Sequence, residues 1–457
     1  MASDEARRAF ARDVVDRLTG AGFRALWAGG CVRDLILGRE PSDYDVATDA
    51  RPEAVMGLFR RVVPVGVSFG VVRVLGPEGA GEVEVATFRS DGDYLDGRRP
   101  EAVHFGDARL DAERRDFTIN GMFLDPGTGQ VLDFVGGRAD LDARVLRAIG
   151  EPADRFGEDK LRLLRAVRFA ARFDLAIEPR TREAIAAMAG TVRVVAAERI
   201  AQELRRMLVH PTRSRAMDLA MDLGLIAALL PPVARMKGLF QGKPVQPQGD
   251  LWDHTRMVLE GLPADPTFPL ALAALLHDVG KPDTKALHQG RTTFHNHEQV
   301  GRGIAERICR DLKLANADRE RVTWLVEYHQ YLGGAMKLRE AKLKRILAEP
   351  GIAELLALHR ADALATTGDA AHVDYCEAYL RDQPAGPINP PPLVTGHDLA
   401  RHGLKPGPRY KMMLELVYEA QLDRLVASKR DALEWLDRHL AAEVGIAPIP
   451  EAQADQV

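Results

Sequence analysis

Residues 27–48 of the 457-residue chain read WAGGCVRDLILGREPSDYDVAT, and this stretch decides the fold of the first part of the protein. An apolar segment leads into Gly29 and Gly30, and the pattern predicts a helix over residues 32–37. Paired glycines let backbone N–H groups approach a phosphate closely, and the positive end of the helix would face the same anion. Arg33, in the first turn, can add a charge-assisted hydrogen bond. The stretch therefore predicts a cradle for an anion.

Two carboxylates, Asp43 and Asp45, follow the cradle. Side chains at positions i and i+2 of a strand point to the same face, with their Cα atoms about 7 Å apart. Carboxylates at that spacing can share or bridge hard cations such as Mg²⁺. A triphosphate cradle and metal-binding carboxylates are the minimum set for two-metal phosphoryl transfer.

In this order and spacing, the glycine pair and the two aspartates resemble the signature of the polymerase-beta-type nucleotidyltransferases. Within that class, the pattern is similar to the bacterial CCA-adding tRNA nucleotidyltransferase and poly(A) polymerase family. The resemblance implies that Asp43 and Asp45 bind Mg²⁺ and that Gly29, Gly30 and Arg33 bind the nucleotide. The substrates that it implies are ATP, CTP and the 3′ end of tRNA.

A third carboxylate, Glu84, lies in EVEVATFR, residues 82–89. It alternates with Val83 and Val85, so it points away from their face. It is either an exposed partner of that alternation or, as the resemblance implies, the third acid of the metal site. The polar loop at residues 89–112 matches a flexible loop that helps the family switch from C to A addition, which argues against an enzyme that adds only C.

The next motif is RRDFTIN, residues 114–120. The residues alone are compatible with a structural ion pair and backbone caps. The resemblance instead implies contacts to the ribose and phosphate of the nucleotide from Arg115, Asp116 and Asn120. Residues 132–137, LDFVGG, resemble the family's hinge between head and neck, where glycines would permit movement.

An arginine-rich helix is predicted over residues 156–173, with Asp159 and Arg162 side by side on one face. A carboxylate acceptor beside a guanidinium donor can imitate the edge of a base, although an ordinary salt bridge has the same spacing. The motif resembles the family's EDxxR template, which selects CTP and ATP without a nucleic-acid instruction. Arg165 and Arg168 would then face phosphates or the tRNA end.

Histidines crowd the third quarter of the chain, and the His277–Asp278 pair ends the apolar segment LALAALLHDVGK. This pattern resembles the HD phosphohydrolase superfamily, whose matching metal ligands here are His254, His277, Asp278 and Asp362. Imidazole and carboxylate suit a transition-metal ion, such as Ni²⁺ or Mn²⁺, that activates water. Three more histidines would complete a second metal position or bind phosphate: His295, His297 and His329. The domain is either a phosphatase or 2′,3′-cyclic phosphodiesterase, or a scaffold for tRNA.

Composition limits the remaining options. The 62 basic and 66 acidic residues nearly cancel, so a nucleic-acid surface must be local, and arginines concentrate at residues 155–215. Three distant cysteines indicate a reducing compartment and no disulfide-linked partner. With no signal segment and no long apolar run, the sequence predicts a cytoplasmic protein without a membrane partner. The oligomeric state is left open.

The resemblance implies an α+β fold: a nucleotidyltransferase head with a mixed or antiparallel sheet, followed by an all-α neck, HD domain and tail. The expected domains are the head at 1–150, the neck at 151–235, the HD domain at 236–370, and at 371–457 a tail that contacts the tRNA elbow and ends in disorder. The expected activity is addition of CCA to tRNA. Three alternatives stay open: a poly(A) polymerase, an enzyme adding only the terminal A, and an HD-type hydrolase with a non-catalytic head.

Overall fold

The computed structural model describes residues 4–91, 103–241, 249–383, 387–402, 407 and 409–444. The predicted disordered end and the centre of the 89–112 loop lie outside the described residues. The chain divides into two compact units. Unit 1 comprises Met1–Leu239, Ala264–Phe268 and Arg307–Asn316, and unit 2 comprises Phe240–Pro263, Pro269–Glu306 and Ala317–Val457. The four domains expected from the sequence stay a prediction.

Unit 1 contains the sheet. Its strands are β1 (Ala25–Ala28), β2 (Asp45–Thr48), β3 (Val62–Gly66), β4 (Val71–Leu75), β5 (Glu82–Thr87), β6 (Arg89–Asp91), β7 (Val103–Phe105), β8 (Met122–Leu124), β9 (Val131–Asp133), β10 (Val145–Leu146) and β11 (Ala176–Ile177). Seven of them form one sheet in the order β3-β4-β5-β2-β1-β8-β9. In this sheet, β2 and β5 pair in parallel, and the other described pairs of neighbouring strands are antiparallel. The sheet is therefore mixed, as predicted.

The first helices of unit 1 alternate with the strands along the chain, and the later ones follow them. They are α1 (Asp4–Gly20), α2 (Gly30–Ile36), α3 (Pro52–Leu58), α4 (Ala108–Glu113), α5 (Gly137–Asp142), α6 (Pro152–Glu158), α7 (Arg162–Phe173), α8 (Pro179–Met188), α9 (Ala197–Leu208), α10 (Arg213–Asp222), α11 (Leu225–Leu229) and α12 (Pro231–Ala234). One core cluster lies under β1 and contains Leu26, Ala47, Phe88 and Phe123. Because β1 is buried along its whole length, it holds the glycine turn that follows it in a fixed place.

The prediction of a single helix over residues 156–173 is wrong. The helix is interrupted between α6 and α7, where Asp159 has an extended backbone with φ −140° and ψ 105°. The Asp159 carboxylate accepts a hydrogen bond from the Leu161 N–H at 3.0 Å. Such a local bond to the backbone competes with helix formation, and it explains the break. Asp159 therefore lies in a turn, while Arg162 is the first residue of α7.

The rest of the chain is almost entirely helical, as predicted. Its elements are α13 (Leu251–Glu260), α14 (Phe268–Leu276), α15 (Lys281–Thr284), the hairpin β12 (Ala286–His288) and β13 (Arg291–Thr293), α16 (His297–Asp311), α17 (Asn316–Tyr328), α18 (Glu340–Leu347), α19 (Ile352–Thr366), α20 (Ala371–Arg381), α21 (Gly396–Arg401), α22 (Arg409–Leu422) and α23 (Lys429–Val444). Among the described residues, no helix combines the length and the apolar composition needed to cross a bilayer.

Candidate active site

The sheet brings the three predicted acids of unit 1 together. Asp45 and Glu84 are direct neighbours in the parallel register of β2 and β5, and Asp43 precedes Asp45 by two residues. The pKa of Asp45 is raised to about 7 by desolvation, and then by the charges of Glu84 and Asp43. Part of Asp45 is exposed to solvent, which screens part of this pKa shift. Mutually repelling carboxylates of this kind fit a divalent cation, which would favour their charged forms.

The glycine turn lies beside a guanidinium. Gly29 has a positive φ of 71°, and a Cβ atom there would lie 2.6 Å from Nη1 of Arg115. Both the backbone conformation and the close approach therefore require glycine. The helix that follows, α2, begins at Gly30, two residues earlier than the sequence predicted.

Arg33 is directed into the protein. The residue is 5% exposed, and its Nη1 donates to Oδ1 of Asn120 at 2.6 Å. Nη2 is paired with Asp34 at 2.8 Å, and the guanidinium lies 4.1 Å from the ring centroid of Phe173. These contacts join the glycine turn to α7. The predicted phosphate contact of Arg33 stays a prediction, and the partners seen here are all groups of the protein.

Asp116 extends the same buried network. Its Oδ1 accepts from the side-chain amide of Asn120 at 3.0 Å, and its Oδ2 lies 2.6 Å from Nη2 of Arg165. Burial alone would raise the pKa of Asp116, but the Arg165 guanidinium and the Asn120 amide lower it to about 2. Asp116, Asn120, Arg33 and Arg165 therefore form one chain of charge-assisted bonds. The sequence predicted each of them as a separate nucleotide contact.

Asp159 and Arg162, which the sequence predicts to read the base, do not form an ion pair with each other. Asp159 is held by Arg199, whose two terminal nitrogens lie 2.7 and 3.2 Å from its carboxylate oxygens. Arg162 pairs with Glu158 and donates to the carbonyl oxygen of Arg114 at 3.2 Å. The sequence reasoning missed Arg199 as a partner, because 40 residues separate it from Asp159. The signal in the sequence that could have identified it is the ERI element at residues 198–200.

Arg168, which was predicted to face phosphates or the tRNA end, lies in the interior of unit 1. Its Nε donates to Oε2 of Glu203 at 2.6 Å, and both residues are buried. Desolvation lowers the pKa of Arg168 to about 10 despite this partner. The arrangement is that of a structural ion pair.

The four predicted HD ligands of unit 2 converge in the structure. Nε2 of His254 lies 3.2 Å from Nε2 of His277 and 3.2 Å from Oδ1 of Asp362. Nε2 of His277 is 3.2 Å from Oδ2 of Asp278. His254, His277 and Asp362 form one group whose ligand atoms lie within 4.8 Å of one another.

A second group shares Asp278. Its Oδ1 lies 3.2 Å from Nε2 of His297 and 3.6 Å from Nε2 of His329. No described residue forms a hydrogen bond of good geometry to this buried oxygen. Of the three additional histidines considered from the sequence, the exposed His295 lies in neither group.

The protonation pattern of the histidines fits metal ligation. Nδ1 of His277, His297 and His329 donates to the backbone carbonyls of Ala274, Phe294 and Val326, at 2.9, 2.8 and 2.7 Å. In the neutral ring, the other nitrogen, Nε2, then carries a lone pair. Three such lone pairs around Asp278 need a cation or extra protons, and the donor set suits a transition metal.

The two sites lie in segments that match known domain families. Residues 25–147 match the family model described as the poly A polymerase head domain. Residues 174–237 match the probable RNA and SrmB-binding site of polymerase A, and residues 252–367 match the HD domain. The segment that contains the sheet is therefore similar to poly A polymerase head domains, and the helical segment at residues 252–367 is similar to HD domains.

Curated relatives and solved structures agree with this assignment. The chain is 41% identical over 217 residues to the CCA-adding enzyme of Geobacillus stearothermophilus, covering 47% of this chain and 53% of the relative. For the CCA-adding enzyme of Streptococcus suis (strain 05ZYH33), the identity is 43% over 197 residues, covering 43% and 48%. The chain thus spans about half the length of the curated relatives that it matches.

The structural matches extend over nearly the whole chain. The crystal structure of the Bacillus stearothermophilus CCA-adding enzyme in complex with CTP has a TM-score of 0.72 at 25% identity, covering 98% of this chain and 100% of that one. The Thermotoga maritima CCA-adding enzyme complexed with tRNA has a TM-score of 0.61 at 19% identity, covering 94% and 95%. At 19% identity, this second match shows the fold alone.

Proposed function

We propose that the protein adds CCA to the 3′ end of tRNA from CTP and ATP. The observation that carries this proposal is the pairing of Asp45 with Glu84, with Asp43 beside them, in a sheet whose neighbouring strand leads into the Gly29 turn. Bound at these three acids, Mg²⁺ would supply Lewis-acid stabilisation of the reacting phosphate. Desolvation, followed by the charges of Glu84 and Asp43, raises the pKa of Asp45 to about 7, and a cation bound there would favour the charged form.

Residues of the chain would hold the triphosphate beside the acids. Arg115 lies against the glycine turn, and it is partly exposed there, so it can donate to phosphate oxygens. Gly29 and Gly30 leave room for this approach. The buried network would keep Arg115 and the glycine turn in place; its members are Asp116, Asn120, Arg33 and Arg165. Alternatively, these residues would contact the nucleotide after a rearrangement.

Base selection is assigned to Asp159 and Arg162. Asp159 keeps an ion pair with Arg199, and a carboxylate has enough lone pairs to accept a further hydrogen bond from an exocyclic amine. Cytosine and adenine both carry such an amine. Arg162 would donate to a ring nitrogen or carbonyl of the base. Arg168 supports this region through Glu203.

The RNA partner would be the tRNA 3′ end and elbow. The names of the similar proteins support this choice, since CCA-adding enzymes complexed with CTP, with ATP and with tRNA share the fold. We assign nucleotide chemistry to the head at 1–150 and base selection to the neck at 151–235. Phosphohydrolase chemistry is assigned to 236–370, and tRNA contact to the tail at 371–457. Three buried free cysteines fit a cytoplasmic enzyme.

The HD domain is proposed to hydrolyse a terminal 3′-phosphate on RNA ends, or to open a 2′,3′-cyclic phosphate with water to the 2′-monoester. Either step leaves the free 3′-hydroxyl that the head requires. Its ligands would be His254, His277, Asp278 and Asp362, with Asp278 shared by a second position at His297 and His329. A Ni²⁺ or Mn²⁺ ion there would activate water. RNA oligonucleotides with a cyclic 3′ end test this step. Conversion of the cyclic end to a phosphate-free or monoester end in the presence of Ni²⁺ or Mn²⁺ supports this step, and unchanged ends contradict it.

The addition reaction is tested by incubating the protein with a tRNA transcript that lacks CCA, together with CTP, ATP and Mg²⁺, and sequencing the products. Transcripts that end in CCA and grow no further support the proposal. An open-ended A tract would identify a poly(A) polymerase. Growth only on transcripts that already end in CC would identify an A-adding enzyme, and no growth on any transcript would leave the HD hydrolase alternative.

A further inference from the structure

A buried carboxylate that the proposed mechanism does not use lies behind Arg115. Asp111, on α4, is 1% exposed and has both oxygens occupied. Oδ1 accepts from Nη2 of Arg114 at 2.6 Å, while Oδ2 accepts from Nη2 and Nε of Arg115 at 2.9 and 3.2 Å. Burial would raise the pKa of Asp111, but the two guanidinium groups lower it below its ordinary value, so the group is charged.

These contacts fix the orientation of the Arg115 guanidinium. One oxygen of Asp111, Oδ2, accepts from both Nε and Nη2 of Arg115, and two donors of a planar group on one acceptor set the plane of that group. Its other end, Nη1, donates to the carbonyl oxygen of Asn120 at 3.2 Å and lies against Gly29. The face of the guanidinium is 5.2 Å from the ring centroid of Phe123. Arg115 is therefore held on three sides beside the glycine turn.

We propose that Asp111 is a positioning residue, which holds the Arg115 guanidinium against the glycine turn so that it receives the polyphosphate of the incoming nucleotide. This inference rests on the proposed function. Arg115 follows Asp111 by four residues, so the same ion pair also stabilises the end of α4, and the test separates the two roles. The ligand class that it serves is a magnesium-bound triphosphate, independent of the base.

The test uses Asp111→Asn, which keeps the size of the side chain and removes its charge. Binding of inorganic tripolyphosphate in the presence of Mg²⁺ is measured by calorimetry, together with KM and kcat for CTP and ATP. A displaced guanidinium should weaken tripolyphosphate binding by about tenfold to a hundredfold. The KM values for CTP and ATP should rise by the same factor, while the choice between the two bases is unchanged. Asp111→Glu, which keeps the charge, should restore part of the binding.

Asp107 provides the matched control, because it is the N-cap carboxylate of the same helix and its side chain contacts the backbone of the first turn. Its side chain caps α4 by accepting from the Leu110 N–H at 3.0 Å. Asp107→Ala should lower the melting temperature without changing tripolyphosphate binding. If Asp111→Asn does not fold, Asp111→Glu replaces it, since the longer side chain keeps the charge but shifts the guanidinium, and it should still bind tripolyphosphate more weakly than the unaltered protein.

A double variant separates positioning from structural support. In an Arg115→Met background, Asp111→Asn should cause no further loss of tripolyphosphate binding. Normal binding by Asp111→Asn, or an equal loss in the Arg115→Met background, would overturn the inference. Absence of both tripolyphosphate binding and nucleotide addition in the unaltered protein would instead refute the proposed function.

Discussion

Replacing Arg168 by methionine should destabilise unit 1 strongly while leaving nucleotide affinity intact. Glu203, which is 2% exposed, would lose its 2.6 Å partner; the ion-pair partner that it keeps among the described residues is Arg206, which lies at 3.0 Å and is 57% exposed. With an effective dielectric constant of about 20, the gross attraction across 2.6 Å is about 6 kcal/mol, most of which desolvation offsets. Removing one partner of a buried pair costs about 3–5 kcal/mol. Because Arg206 remains, we expect a loss of about 3 kcal/mol.

Urea unfolding of the full chain, followed by circular dichroism, measures this loss, and titration with CTP measures the affinity of the folded variant. Arg168→Met combined with Glu203→Gln should be less destabilised than Arg168→Met alone, because no uncompensated charge is then buried. A stability loss below about 1 kcal/mol with a large loss of CTP affinity would refute this reasoning. That result would mean that Arg168 contacts the substrate, as the sequence had predicted.

Three further predictions concern the two sites. Asp43→Ala should abolish nucleotide addition and leave HD-dependent phosphate release intact, which parallel assays on one preparation would show; loss of both activities would mean that the chain has been divided wrongly. Asp278→Asn should have the opposite effect, and metal analysis should find less bound transition metal than in the unaltered protein. Because the pKa of Asp45 is raised to about 7, protons compete with Mg²⁺ below that pH. The addition rate at limiting Mg²⁺ should therefore rise between pH 6 and pH 8, and a flat profile would contradict the assignment.

The same raised pKa has a consequence for stability. A carboxyl group with a higher pKa in the folded state favours the protonated form there, so its contribution is largest below the ordinary Asp pKa of about 4. That contribution is lost as the pH rises to about 7. The metal-free protein should thus melt at a lower temperature at pH 8 than at pH 6, and Asp45→Asn should reduce this difference. Saturating Mg²⁺ should also reduce it, since the cation favours the charged form.

The parts of the site that could be predicted are those carried by short motifs. The Asp43–Asp45 spacing and the glycine turn depend on neighbouring residues, and the alternation around Glu84 correctly left it on the face opposite Val83 and Val85. Which acid lies beside Asp45 depends on the parallel register of β2 and β5, and no local pattern encodes that register.

The unpredicted part consists of pairings between distant residues. Arg33 and Asn120 are 87 positions apart in the chain, and Arg165 and Asp116 are 49 apart. A motif shows that such residues are present but not whether they face a ligand or one another. The break before α7 was missed for a different reason: the i, i+3 spacing of Asp159 and Arg162 fits a helix, but Asp159 caps a turn.

The predicted hinge at residues 132–137 is held by one carboxylate. Asp133 accepts hydrogen bonds from the backbone N–H groups of Val135, Gly136, Gly137 and Arg138, at 3.1, 2.9, 3.0 and 2.9 Å. The positive φ of 81° at Gly136 shows that glycine is needed for this turn. The glycines have a structural purpose in the turn, and movement there stays a prediction.

The central claim is that protein side chains choose the base, and a competition experiment tests it most directly. Transcripts ending at the discriminator base, after C and after CC are each offered all four nucleoside triphosphates at equal concentration, with unaltered protein and with Asp159→Ala. We predict that the unaltered protein adds C, C and A in turn and then stops, and that Asp159→Ala loses discrimination among bases while still forming phosphodiester bonds. Unchanged base choice by Asp159→Ala would contradict the claim.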